Sequence, residues 1–216
     1  MVTIIDYGIG NLRSIEKAFE RIDVEVLRTD DPTAVIEAER LVLPGVGAFG
    51  ACIGELRARG IETPILEAVR RGTPLLGVCV GLQLLFDVGY EKGEHEGLGL
   101  IPGVVRHFQD AASDDEMDDR VVPHMGWNAL TPTRSHPLLD GLGDEAYVYF
   151  VHSYHALPDD PADVLATSTY GHAFPAIVQR NHVCGVQFHP EKSQAAGLRL
   201  LQNFATMPRP AETDPA

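Results

Sequence analysis

A three-layer α/β fold is the architecture this sequence predicts, with a mixed but mostly parallel central sheet and helices on both faces. Three observations lead to it. In the first half, short aliphatic and β-branched runs alternate with segments of helical apolar spacing, as in chains that build parallel sheets from strand–helix–strand units. The second half carries aromatic and β-branched runs divided by short turns, which is the mark of antiparallel pairing. Between them, an apolar run led by Pro74 turns from strand to helix near Cys79, and Gly77 and Gly81 flank the turn where Cβ atoms would collide.

Each element follows from its local pattern. Val2 to Ile5 form a strand that ends in Asp6-Tyr7-Gly8-Ile9-Gly10-Asn11. Asn11 is placed to cap a helix carrying Leu12, Ile15, Ala18, Phe19 and Ile22 on one face. This turn lacks the third glycine of a dinucleotide-binding loop, so it is read as one rim of a site. Strands are expected over Val24–Leu27 and Arg40–Leu43, with a short helix over Pro32–Glu39 between them. Helices follow over Ala51–Arg59 and Pro64–Arg71, and the helix after Cys79 is expected to carry Leu82, Leu85 and Phe86. Gly89–Gly103, including Glu94-His95-Glu96, reads as a solvated loop, and Asp110–Arg120 as an exposed acidic one. Val121–Asn128 holds the only tryptophan, expected in the core. Strands are then expected over Tyr147–Val151, Val164–Thr169, Ala176–Gln179 and His182–His189, with turns at Gly171 and Asn181. Ala195–Phe204 closes the chain as a helix, and Met207 onward reads as a frayed tail.

Composition narrows the class. The 216 residues suffice for one domain with a substantial core, and 44% hydrophobic with 22% charged residues is ordinary for a soluble protein. The balance of 17 basic against 31 acidic residues gives a net charge of −14, which disfavours nucleic-acid and anionic-membrane partners. No run approaches the ~20 apolar residues of a membrane span, and no secretory signal is evident. Cys52, Cys79 and Cys184 have no metal-type spacing and cannot all pair, which points to a reducing, cytoplasmic setting.

The chemistry centres on Cys79. A cysteine between two glycines at a strand-to-helix turn matches the nucleophile-elbow arrangement with a thiol in place of a hydroxyl. Such a thiol stands above the sheet near a helix N-terminus, where free N–H groups favour the thiolate. A buried, inert cysteine is the alternative. A thiolate nucleophile needs a base and an oxyanion hole. His189 and Glu191 share a side on an extended segment, so the carboxylate can hold one ring nitrogen and aim the other at the thiol. The glycines of Pro44–Gly50 leave backbone N–H groups free to turn toward an oxyanion, and a plain tight strand-to-helix turn is the alternative. His152 and His155 sit at a strand end with no acid at that offset, His136 and His172 lie in turn regions, and a core or surface place is expected for each.

With these residues in view, Gly77-Xaa-Cys79-Xaa-Gly81-Xaa-Gln83 and the distant His189-Pro190-Glu191 resemble the class I (triad) glutamine amidotransferases, which implies a flavodoxin-like sheet. Asp6-Tyr7-Gly8-Xaa-Gly10-Asn11-Leu12, Pro44–Phe49, Pro123–Asn128, Tyr149–Tyr154 and Phe188–Ser193 narrow the resemblance to glutaminase subunits of imidazole glycerol phosphate synthases. It covers Val2 to Phe204, so residues 1–206 are expected to form a single amidotransferase domain. The resemblance implies a Cys79–His189–Glu191 triad, oxyanion N–H groups from Val46 and Val80, and L-glutamine held by Gly45, Gly47 and Gln83. It implies no metal or organic cofactor, and a cyclase subunit as partner in a heterodimer. Val80 stands where the family often has leucine, at a position that contributes its backbone. Other glutaminases of this fold, such as that of pyridoxal-phosphate synthase, and stand-alone γ-glutamyl hydrolases would share the triad. A non-catalytic interaction module would have lost it.

Overall fold

The computed structural model describes residues 1–111, 121–143 and 146–208. Along the first half run β1 (Val2–Ile5), α1 (Leu12–Glu20), β2 (Val26–Thr29), α2 (Pro32–Ile36), β3 (Leu41–Gly45), α3 (Phe49–Ala58), α4 (Glu62–Arg70), β4 (Leu75–Cys79) and α5 (Val80–Gln83). Then come β5 (Phe86–Gly89), β6 (His95–Glu96), β7 (Ile101–His107), α6 (Phe108–Ala111), β8 (His124–Ala129) and β9 (Thr131–Pro132). The chain closes with β10 (Tyr147–His152), β11 (Tyr154–Pro158), β12 (Val164–Tyr170), β13 (His172–Arg180), β14 (Val183–Val186) and α7 (Gln194–Thr206).

The central sheet has eight strands in the order β2-β1-β3-β4-β14-β13-β12-β9. The pairings from β2 through β14 are parallel, and those from β14 to β9 are antiparallel. β1, β3, β4 and β14 are buried along their whole length, as expected for strands covered on both faces. The chain steps one way from β1 to β2 and the other way from β2 to β3 and β4. With right-handed crossovers this reversal puts α1 on one face and α2 to α4 on the other. The packing agrees, since α1 meets α7 while α2 meets α4. The reversal also opens a crevice beyond the carboxyl ends of β1 and β3, where open α/β sheets bind ligands.

Several sequence expectations are corrected here. The helix after Cys79 stops at Gln83, because Phe86 pairs with Ile101 in β7, a contact distant in sequence. Gly89–Gly103 is no loose loop: β5, β6, β7 and β11 make a second, four-stranded sheet. Within it His95 stacks on Phe49 of α3, with ring centroids 6.4 Å apart. Trp127 is 43% exposed rather than a core residue, while its neighbour His124 is fully buried. Strand β2 begins two residues later than expected, and α2 ends at Ile36. Met207 is not frayed, because its N–H donates to the Asn203 carbonyl and its own carbonyl accepts from Arg40 at 2.6 Å. Of the expected acidic loop, Asp110 and Ala111 end α6, and 112–120 lie outside the described residues.

Candidate active site

Three glycines build the elbow by letting backbones touch. A Cβ on Gly77 would lie 2.5 Å from the Gly81 carbonyl oxygen, and one on Gly45 would lie 2.6 Å from the Gly81 amide nitrogen. With those side chains absent, α5 starts directly against β3 and β4, where Gly45 is in register with Cys79. Cys79 itself has φ 56° and ψ −113°. A non-glycine residue in so sparse a region costs about 1–3 kcal/mol, and such strain concentrates where side-chain aim matters. The thiol is not exposed as the sequence suggested. Cys79 is only 4% accessible, at the floor of a pocket of about 320 Å³.

His189, just beyond the carboxyl end of β14, lines the same pocket, and Glu191 stands behind it. His189 is extended but Glu191 lies in the 3-10 turn that follows it, Pro190–Lys192, and not on the extended segment expected. The turn still brings His189 Nδ1 to 2.8 Å from Glu191 Oε1. It is fastened to β10: His189 N–H donates to the Tyr149 carbonyl at 2.9 Å, and the Ser193 hydroxyl donates to the His189 carbonyl at 2.7 Å. Burial pulls the His189 pKa down, but hydrogen bonds to Cys79 and Glu191 outweigh it and hold the ring at about 9. The imidazole is therefore protonated at neutral pH, with a sulfur on one side and a carboxylate on the other. Such a constellation can attack an acyl carbon and protonate a leaving group.

Val46, Gly47, Val80 and Gln83 line the same pocket. Gly45 lies behind the wall, against Val80 and Gly81. The Gln83 amide nitrogen donates to the Tyr154 carbonyl at 3.0 Å and to Gln187 Oε1 at 3.2 Å. Glu91, Val151, His152 and Tyr154 complete much of the wall. The sequence signalled none of these four as pocket residues by spacing alone, since β5–β7 and β10–β11 bring them in from other sheets. Gln187 was also missed. It is fully buried, and its amide nitrogen approaches Cys79 Sγ at 4.0 Å. His152 is buried and neutral, its pKa pushed well down by desolvation. Among the described residues, no group of three His, Cys, Asp or Glu side chains is placed to hold a metal ion. All three cysteines are free and buried.

The chain belongs to the glutamine amidotransferase class-I family, whose model matches residues 3–207. Within that family it is 67% identical to a Salinibacter ruber protein named imidazole glycerol phosphate synthase subunit HisH, over 98% of this chain and 97% of that one. A protein of the same name from Syntrophotalea carbinolica is 51% identical over 96% of this chain and the whole of that one. Among solved structures, one described as a glutamine amidotransferase superposes with a TM-score of 0.70 at 22% identity, covering 94% of this chain and 96% of its own. PurLQS from Thermotoga maritima gives 0.68 at 20% identity, covering 94% and 96%. At those identities the structural likeness is one of fold.

Proposed function

We propose that this chain is the glutaminase subunit of an imidazole glycerol phosphate synthase. It hydrolyses L-glutamine to glutamate and ammonia, and the ammonia passes to a β/α-barrel cyclase subunit that makes imidazole glycerol phosphate and aminoimidazole carboxamide ribonucleotide. The observation that carries this reading is the meeting of an elbow thiol with a protonated His189 in one pocket, the ring backed by the buried Glu191 carboxylate. The names and extent of the relatives support the partner and the pathway. Residues 1–206 make up the one catalytic domain, and three free thiols suit a reducing cytoplasm.

In the reaction, Cys79 attacks the carboxamide carbon. The oxyanion is held by the N–H of Val80 at the head of α5 and by that of Val46, both residues lining the pocket. His189 gives its proton to the departing ammonia, leaving a γ-glutamyl thioester. It then takes a proton from water, whose attack releases glutamate and restores the thiolate. Glu191 holds the ring in place throughout. Gln83, Gly45 and Gly47 shape the glutamine site. Met125, Trp127 and Tyr147, all exposed on the β8–β10 ribbon whose Val151 lines the pocket, give the cyclase subunit an apolar face.

The test is co-purification of the chain with a barrel cyclase, followed by an assay of glutamine-dependent imidazole glycerol phosphate formation. A stable complex with glutamine-dependent turnover is the expected result. Glutamine hydrolysis without any association would favour a stand-alone hydrolase.

A further inference from the structure

The turn after β1 lies outside the steps that Cys79 and His189 carry out. Asn11 stands just before α1, where a side-chain oxygen ordinarily accepts an amide N–H of the first helical turn. It makes no such bond. Its amide nitrogen lies instead 3.3 Å from Glu191 Oε1, the same oxygen that holds His189 Nδ1 at 2.8 Å. The Glu191 side chain has no solvent exposure, and its Oε2 is buried without a hydrogen-bond partner among the described residues. The carboxylate is thus anchored through one oxygen by two donors, one of them Asn11. At the other end of the turn the Tyr7 hydroxyl donates to the Pro44 carbonyl at 2.8 Å, at the base of the glycine loop. Gly10 packs there too, since a Cβ on it would lie 3.2 Å from Pro44 Cβ. One short turn therefore touches both the triad acid and the strand that leads into the oxyanion loop.

We infer that Asn11 is a positioning residue of the triad, its side-chain N–H holding the Glu191 carboxylate so that Oε1 faces His189. The inference rests on the reading of Glu191 as the acid that orients His189. With Oε2 unpartnered, the only other group hydrogen-bonded to the carboxylate among the described residues is His189, the ring it has to aim. Loss of Asn11 frees it to turn away, and the ring loses the partner that sets its aim. The groups facing His189 are Cys79, Glu191 and, more distantly, His152.

Asn11→Asp discriminates this role from two plainer ones. Aspartate has the shape of asparagine and caps a helix as well, so a packing or capping role leaves the variant like the parent. It has no N–H to donate, and it sets a second carboxylate against Glu191, so a positioning role makes it worse than Asn11→Ala. In the complex with the cyclase, Asn11→Ala is expected to lower glutaminase kcat about tenfold with KM held within roughly twofold, and Asn11→Asp to lower kcat further. Nitrogen-15 NMR of the free chain, which needs no turnover, should show the His189 titration moved down from about 9 in Asn11→Ala. Wild-type kcat in Asn11→Asp, or an unmoved His189 titration in Asn11→Ala, would overturn the inference. A wild-type complex that releases no glutamate would sink the proposed function instead, and the NMR result would still decide the role of Asn11.

Discussion

Gly81 and Leu43 are in such close contact that a Cβ on Gly81 would sit 1.9 Å from the Leu43 carbonyl oxygen. That oxygen belongs to β3, so relief would require the sheet itself to shift. Gly81→Ala is therefore expected to destabilise the protein by about 3 kcal/mol, seen as a fall in Tm of roughly 6–12 °C. Glutaminase activity should fall with it, because α5 can no longer seat against β3. A variant melting within a degree or two of wild type would show that the elbow has room the geometry denies.

The upper limb of the pH–rate profile should report His189. Its pKa lies above the ordinary 6.5, at about 9, so the proton is retained through neutral pH and lost as pH rises through about 9. Stability drawn from its contacts is fully present below 6.5 and disappears over the same upper window. Glutamine hydrolysis should decline above pH 9 for want of a proton for the leaving ammonia. Cys79→Ala removes one of the interactions that raise this pKa, so NMR should find the His189 midpoint lower in that variant. An equal or higher midpoint would contradict the coupling.

Part of the acid sensitivity should trace to His155, beside the buried His152. Burial first, and then the nearby His172, lower its pKa from 6.5 to about 4. Unfolded chains bind the proton below 6.5 while the native state refuses it until about 4, so stability is complete above 6.5 and is lost as pH falls toward 4. The full effect is of order 3 kcal/mol. His155 Nε2 is buried without a partner among the described residues, and the ring packs on Phe108 at 4.7 Å between centroids. His155→Phe should flatten the stability–pH curve between 6.5 and 4, as measured by urea denaturation. An unchanged slope would assign the acid lability elsewhere.

Trp127 should be an anchor for the cyclase subunit. Its exposure on the two-stranded β8–β10 ribbon is poorly explained by the core of this chain. Truncating a buried interface tryptophan commonly costs about 2 kcal/mol, roughly thirtyfold in Kd. Trp127→Ala should show that loss in titration calorimetry with the cyclase while leaving Tm nearly unchanged. Wild-type affinity in the variant would move the docking face away from this ribbon.

The elbow was legible in the sequence because its cause is local: Gly77, Cys79 and Gly81 meet within one turn, and steric exclusion acts over a few residues. The strand–helix alternation was legible for the same reason. Pairing across long stretches of chain was not. Phe86 fits a helical face after Leu82 and Leu85 until Ile101 claims it for a strand. Asn11 has the residue type of a helix cap, and only the approach of Glu191, distant in sequence, draws its amide away. Trp127 and His124 lie on one strand, and burial of one with exposure of the other depends on which face the ribbon turns inward. His189 and Glu191 were paired correctly for an incorrect reason, since a 3-10 turn and not an extended strand joins them.

Cys79 can be challenged as the nucleophile of an ammonia-supplying subunit in the assembled complex. Cys79→Ala removes the sulfur and little bulk, so the variant should fold and bind the cyclase. Imidazole glycerol phosphate formation is then measured with glutamine and, separately, with ammonium salts at high pH. Glutamine should support no synthesis, while ammonium should support it at the wild-type rate. Glutamine-dependent synthesis that survives in Cys79→Ala would contradict that role.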